Sequence, residues 1–248
     1  MRILISNDDG VQAEGIAALT RVLSAQHEVI VAAPARQQSG MAHALTVGSR
    51  MELCRFAPLE QWALEAWSID GTPTDSVKVY LEAMAGSQRP DLVLSGINHG
   101  ANLGTDVLYS GTVGAAMEGY LHQISAIAVS LDIASSLHYI QAAEIFAAGL
   151  EGLLSVGQGP CFLNVNFPAA PVPERGFRWT KLGCRDYKNA FRRTEENGRS
   201  YYTMAGEIFD QNNDEETDIH ATEEGYIAVT PLHTDLTDYP ALSNAWKS

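Results

Sequence analysis

A parallel α/β fold with a β-rich C-terminal extension is expected from three features of the sequence. Short apolar runs alternate with helix-period segments through residues 1–135, the pattern of a parallel sheet covered by helices. Polar and glycine-rich stretches follow several of those runs, where such a sheet binds ligands. Beyond Pro168 the alternation stops, and β-like runs are separated by polar segments.

The elements follow in order. Arg2 to Ser6 reads as the first strand, and Ile16, Leu19, Val22 and Leu23 keep helical spacing. Glu28 to Ala33 is the second strand, ended by Pro34, and Ala35 to Gly48 is a loop of small and polar residues. Met51 to Phe56 and Ala63 to Ile69 read as strands, and Gly71-Thr72-Pro73-Thr74 turns into a helix carrying Val77, Tyr80, Leu81 and Met84. Leu92-Val93-Leu94 is a short buried strand, followed by an extended polar loop from Ser95 to Gly104. A helix around Val113 to Leu121, a strand from Ala126 to Leu131, a helix of about Leu137 to Leu154 and a strand from Phe162 to Val165 complete the body. In the extension, Phe177 to Leu182, Ser200 to Ala205 and Tyr226 to Pro231 read as strands with little helix between them, a projecting hairpin that leaves and re-enters the body. Residues 1–168 are taken as the body and 169–248 as an extension that returns to it, within one domain.

A chain of 248 residues buries roughly 70 to 75% of its unfolded surface, so a substantial core is available. At 46% hydrophobic and 19% charged the composition is that of an ordinary globular protein, which argues against disorder. No apolar stretch reaches the ~20 residues that cross a bilayer, and no signal-peptide pattern precedes the first strand. Cys54, Cys161 and Cys184 are odd in number, far apart and not at metal-ligand spacing, as expected of reduced thiols and a cytoplasmic location. The net charge of −14 disfavours long nucleic acids as partners. Eight acids without a Lys or Arg lie between Glu207 and Glu224, and seven basic residues against three acidic ones lie between Arg178 and Arg199. The two segments are either a solvated projection or complementary surfaces of neighbouring subunits.

Chemistry concentrates at strand ends. Asp8 and Asp9 follow the first strand directly. Two neighbouring carboxylates at the mouth of a sheet need a counter-charge, and oxygen ligands suit Mg²⁺, Mn²⁺ or Ca²⁺. An Asp-Gly turn or a helix cap accounts for the same tetrapeptide. Ser39, in the loop after the second strand, is a further oxygen ligand or a plain turn residue. The stretch Ser95-Gly96-Ile97-Asn98-His99-Gly100-Ala101-Asn102-Leu103-Gly104 offers amide groups and permissive backbone without added charge, and matches neither a Walker A loop nor a Rossmann fingerprint. Tyr109-Ser110-Gly111-Thr112-Val113 opens a helix with hydroxyls and a glycine. That is an anion site or an ordinary N-cap. His43, His99 and His233 are assigned no role.

Together, Ser6-Asn7-Asp8-Asp9-Gly10, Ser39-Gly40, Gly71-Thr72-Pro73-Thr74-Asp75, Gly96-Ile97-Asn98 with Asn102-Leu103-Gly104, and Tyr109-Ser110-Gly111-Thr112-Val113 resemble the motifs of the SurE family of survival-protein nucleotidases, in that family's order. Asn164-Val165-Asn166 with Pro168, and Gly225-Tyr226 leading to Thr230-Pro231-Leu232, are similar to its C-terminal signatures. The resemblance implies a three-layer α/β/α, Rossmann-like body with an extension used in oligomerisation, as a homodimer or homotetramer. It implies a metal-dependent phosphatase hydrolysing nucleoside 5′-monophosphates, with the 3′ position open. By position, Asp8, Asp9, Ser39 and Asn98 are the implied ligands of one divalent cation, Mg²⁺ or Mn²⁺, per subunit. Asn102, Ser110, Gly111 and Thr112 are the implied phosphate-binding residues, and Asp8, Asn102, Ser110 and Thr112 the implied catalytic ones. Gln12 and Glu14 depart from the family pattern, which affects loop shape and substrate preference.

Competing readings are a haloacid-dehalogenase-type phosphatase, a receiver-like module and a metal-binding scaffold without catalysis. The first expects Asp-x-Asp, whereas the acids here are adjacent, and the second is about half this length.

Overall fold

The computed structural model describes residues 1–172 and 174–246, so Pro173, Lys247 and Ser248 of the extension lie outside the described residues. The body runs β1 (Arg2–Ser6), α1 (Glu14–Leu23), β2 (Glu28–Pro34), β3 (Leu53–Arg55), β4 (Glu65–Ile69), α2 (Pro73–Val79), β5 (Leu92–His99), α3 (Gly111–Leu121), β6 (Ser125–Leu131), α4 (Tyr139–Leu154) and β7 (Phe162–Phe167). Beyond it come β8 (Phe177–Trp179), β9 (Tyr187–Lys188), β10 (Phe191–Glu196), β11 (Arg199–Met204), β12 (Glu207–Ile208), α5 (Asp218–Glu223), β13 (Ile227–Pro231) and α6 (Tyr239–Ala245).

Nine strands form one mixed, mostly parallel sheet in the order β3-β4-β2-β1-β5-β6-β7-β13-β8. Alternate residues on each strand enter opposite layers, and both layers are apolar. Ile3, Ile5, Val29, Val31, Leu92 and Leu94 pack with Ile16 and Leu19 of α1 and Phe146 and Leu150 of α4. Leu4, Ile30, Ala32, Val93, Ala126 and Ala128 pack with Val77 of α2 and Val113 and Ala116 of α3. The strands therefore read as near-continuous hydrophobic runs because both faces are covered. From β1 the chain moves outward to β2 and β4 on one side, then crosses to β5, β6 and β7 on the other. The crevice between β1 and β5 is thus the switch point at which doubly wound sheets bind ligands.

Local chemistry sets the boundaries. Thr72 and Asp75 form a reciprocal capping box and Pro73 occupies the first helical position, so α2 starts where the Gly71-to-Thr74 turn predicts. Its C-terminal part widens into a π-helical turn, Tyr80–Met84.

Three expectations are corrected. The stretch read as a loop from Ser95 continues β5 to His99, because Gly96, at φ 138°, lets the strand bulge between Ser95 and Asn98 and resume pairing with β6. The peptide between Gly96 and Ile97 is cis. The strand expected to reach Leu182 ends at Trp179, with only a single bridge from Lys181 to Thr217 beyond it among the described residues. Phe191–Glu196, too polar to read as a strand, pairs antiparallel with β11. Its turn residues Asn197 and Gly198, at φ 51° and 70°, are those of a type I′ hairpin. Between the strands of the extension stands one short helix, α5, in keeping with the little helix expected there, and α6 follows β13. The extension also supplies β13, antiparallel to β7, and β8, parallel to β13, to the main sheet.

Candidate active site at the strand ends

Because β1 and β5 are parallel neighbours, with Ser6 paired to Ser95, the residues after each strand emerge at one edge. Asp8 is buried and Asp9 half-buried there. The Thr112 hydroxyl donates to Asp8 Oδ1 at 2.6 Å and the Thr112 N–H to Oδ2 at 3.1 Å. Asp9 Oδ2 accepts the backbone N–H of His99 at 2.8 Å, and the Gln37 amide lies 3.4 Å from its other oxygen. Burial pushes the Asp8 carboxyl up to about 6, while the Thr112 hydroxyl pulls it back and the Asp9 charge adds to the rise. A carboxylate pair in that condition gains from a cation placed beside it.

The other implied residues occupy different settings. The Asn98 amide nitrogen donates to the Gly100 carbonyl at 2.8 Å, and its oxygen takes no hydrogen bond among the described residues. Ser39 is exposed, in a loop joined to the site where the Gln38 N–H donates to the Asp8 carbonyl at 2.7 Å. Ser110 caps α3, accepting the Val113 N–H at 3.1 Å, and its hydroxyl proton remains available. Gly111, at the first position of α3, directs its N–H out of the helix start, where the positive end of the dipole lies. Asn102 is nearly buried and knotted into the sheet. It donates to Ser130 Oγ at 2.9 Å, its N–H donates to Asn166 Oδ1 at 2.8 Å, and its carbonyl receives the amides of Asn164 and Asn166. The structure thus brings Asp8, Asp9, Asn98 and the Ser110-to-Thr112 turn to one edge, with Ser39 on its loop beside them. Both donors of Thr112 face Asp8.

The three histidines separate. His99 sits beside Asp9, with its ring Nδ1 2.8 Å from the Tyr139 hydroxyl. His43 reaches helix α3, with Nε2 2.8 Å from Glu118 Oε2. His233 lies beyond β13. Sequence reasoning missed Glu118, which is 2% exposed. A lone acid among the small residues of α3 was the available signal.

The oxygen donors of Asp8, Asp9, Ser39 and Asn98 are those a hard divalent cation takes, so these residues fit the implied metal. A second group, Glu82, Glu118 and His122, has ligand atoms within 4.8 Å of one another. Its charge is already met, because the Lys78 ammonium stands 2.8 Å from Glu82 and 2.9 Å from Glu118. No helix among the described residues is long and apolar enough to cross a membrane.

A doubly wound α/β protein with paired acids at its switch point and a capped helix start facing them is the class that fold and site define. Similarity to known proteins narrows it. A family model described as "Survival protein SurE" matches residues 3–189. The 5′-nucleotidase SurE of Pelotomaculum thermopropionicum is 45% identical over 249 aligned residues, covering 100% of this chain and 95% of that protein. Its counterpart from Heliobacterium modesticaldum is 46% identical, covering 96% and 88% respectively. The crystal structure of the SurE protein from Aquifex aeolicus matches with a TM-score of 0.84 at 35% identity over 100% of both chains. The chain belongs to the SurE family.

Proposed function

We propose that the chain is a metal-dependent 5′-nucleotidase, hydrolysing nucleoside 5′-monophosphates to nucleoside and phosphate. The observation that carries this reading is the pair Asp8 and Asp9 at the switch point, oriented by donors from α3 and the end of β5. It is supported by relatives named 5′-nucleotidase that align with nearly the whole chain. Asp8, Asp9, Ser39 and Asn98 would hold one Mg²⁺ or Mn²⁺, which when bound supplies Lewis acidity at a phosphate oxygen. Thr112 orients Asp8 and lowers the cost of its ionisation. The helix start at Ser110 and Gly111 presents a hydroxyl and a free-ended dipole to the remaining phosphate oxygens. Asn102 fixes the path between β5 and α3 through its bonds to Ser130, Asn164 and Asn166. Positioning and charge complementarity of this kind are what phosphoryl transfer asks of a protein.

The three free cysteines support a reducing, cytoplasmic setting. The exposed hairpin β10–β11 supports assembly into a dimer or tetramer.

The reading is tested by phosphate release from a panel of 5′- and 3′-nucleoside monophosphates. Chelation with EDTA silences the wild type, and Mg²⁺ or Mn²⁺ restores it. Asp8→Asn abolishes the restored activity while keeping the fold, since it removes one of two repelling charges. Phosphate release that survives EDTA, or that persists in Asp8→Asn at saturating metal, overturns it.

A further inference from the structure

The loop between β2 and β3 carries Ser39 and has no regular structure of its own. Its far end is held at α2, where the Thr72 hydroxyl donates to the Ala44 carbonyl at 2.7 Å and the Thr46 N–H donates to Asp75 Oδ1 at 2.9 Å; around Ser39 itself the backbone attachments are two. On one side of Ser39, the Gln38 N–H holds the Asp8 carbonyl; on the other, the Ala42 N–H holds the Tyr109 carbonyl at 2.9 Å. The span between contains Gly40, at φ 71° with open space around it, so it has little stiffness of its own.

The C-terminal end of that span is better fixed. Ala42 adopts φ 50°, a conformation that an alanine keeps only when its surroundings impose it. Its carbonyl oxygen lies 2.1 Å from where a Cβ of Gly114 would stand, so the loop rests directly on the backbone of α3. The next residue, His43, joins this loop to that helix by a side-chain hydrogen bond, Nε2 to Glu118 Oε2 at 2.8 Å. Glu118 is a firm anchor. Its side chain is 3% exposed, and its other oxygen is held by Lys78 at 2.9 Å and His122 at 3.1 Å. The helix that orients Asp8 through Thr112 at its start therefore grips the Ser39 loop through Glu118 further along.

We propose that His43, anchored on Glu118, is the positioning residue that holds the Ser39 loop against α3 and so completes the cation site. The tether follows from the contacts alone; its effect on the cation rests on the proposed role of Ser39 as a metal ligand.

The test uses the full chain as wild type, His43→Ala, His43→Phe and His43→Gln. Two quantities are read: amide hydrogen exchange over residues 38–46 without metal, and Mn²⁺ affinity by calorimetry. In His43→Ala and His43→Phe the amides exchange at least about tenfold faster, and Mn²⁺ binds roughly ten- to a hundredfold more weakly, the range for losing a partner that orients a metal ligand. His43→Gln, which retains a donor for Glu118, recovers both. His43→Phe keeps the bulk of the ring, so a role in packing alone leaves it close to wild type and overturns the proposal. Unchanged exchange over 38–46 in His43→Ala overturns it as well. Asp8→Asn is the control for the cation. Mn²⁺ affinity unaffected by that change refutes the metal site itself, while the exchange rates still decide whether His43 tethers the loop.

Discussion

Asp8 and Asp9 are neighbours in the chain but are held by different parts of the fold. Thr112 directs a hydroxyl and an N–H at Asp8, and His99 lends Asp9 only its backbone. The two hydroxyls at the start of α3 accordingly have separate duties, and substitution separates them. Thr112→Val removes a hydrogen bond to a charged carboxylate and is expected to lower kcat/KM by roughly ten- to a hundredfold. Ser110→Ala loses the cap on Val113, expected to cost about 1 kcal/mol of stability, and also the hydroxyl proposed for a phosphate oxygen, so it lowers both melting temperature and kcat/KM, whereas Thr112→Val acts through Asp8. Melting temperature and kinetics measured on the same preparations check both. A Thr112→Val enzyme of wild-type efficiency sinks the assignment of Thr112 to Asp8. The acids and the hydroxyl-glycine turn stand out in the sequence because they are chemically conspicuous where they open loops and helices. Glu118 and His43 do not, since a pair 75 positions apart leaves no local pattern.

At the scale of elements, α1 and β5 approach until only glycine fits. A Cβ on Gly15 would lie 1.9 Å from the Ile97 carbonyl oxygen, next to Asn98. Gly15→Ala improves intrinsic helix propensity by about 1 kcal/mol, yet it must displace the end of β5. Both a lower melting temperature and weaker phosphate release are therefore expected. A stabilised, fully active Gly15→Ala protein contradicts that close approach. Helix α3 makes a second prediction through Glu118. Burial opposes its ionisation, but the His43 and Lys78 partners prevail and bring its carboxyl down to about 2 from 4.5. A depressed carboxylate stabilises the fold above its unfolded pKa and loses that contribution as pH falls through the folded one. Glu118→Gln should thus melt below wild type at pH 7, with the difference closing between about pH 4.5 and pH 2; a difference that persists to pH 2 contradicts it. The inner strands are legible because burial on both faces leaves continuous apolar runs. The end of β5 is not, since a bulge built from glycine and asparagine reads as a loop. Strand β10 is hidden because its residues face solvent, although Asn197-Gly198 marks the turn.

Across the whole molecule, the sheet places chemistry between β1 and β5 and then grows past β7 through β13 and β8. The chain connecting those two strands leaves the sheet as the hairpin β10–β11, every residue of which is exposed in its two strands. Cross-strand pairing puts Phe191 opposite Met204 and Arg193 opposite Tyr202, so Phe191, Tyr202 and Met204 share one face, at 60%, 64% and 76% exposure. A lone two-stranded hairpin is marginally stable in water, and its open edges invite another chain. The base of this one is well attached: Arg185 pairs with Asp210 at 2.9 Å and the Tyr187 hydroxyl meets Asp106 at 2.6 Å. An arm rooted so firmly, with an apolar face left open, fits a second copy of this chain as its cover. The wild type is therefore expected to run as a dimer or larger by light scattering at micromolar concentration. Phe191→Asp combined with Met204→Asp should lower that mass and leave the circular dichroism of the body unchanged, because neither side chain belongs to the core. A wild-type monomer, or a double variant that assembles as before, shows that the arm serves some other surface.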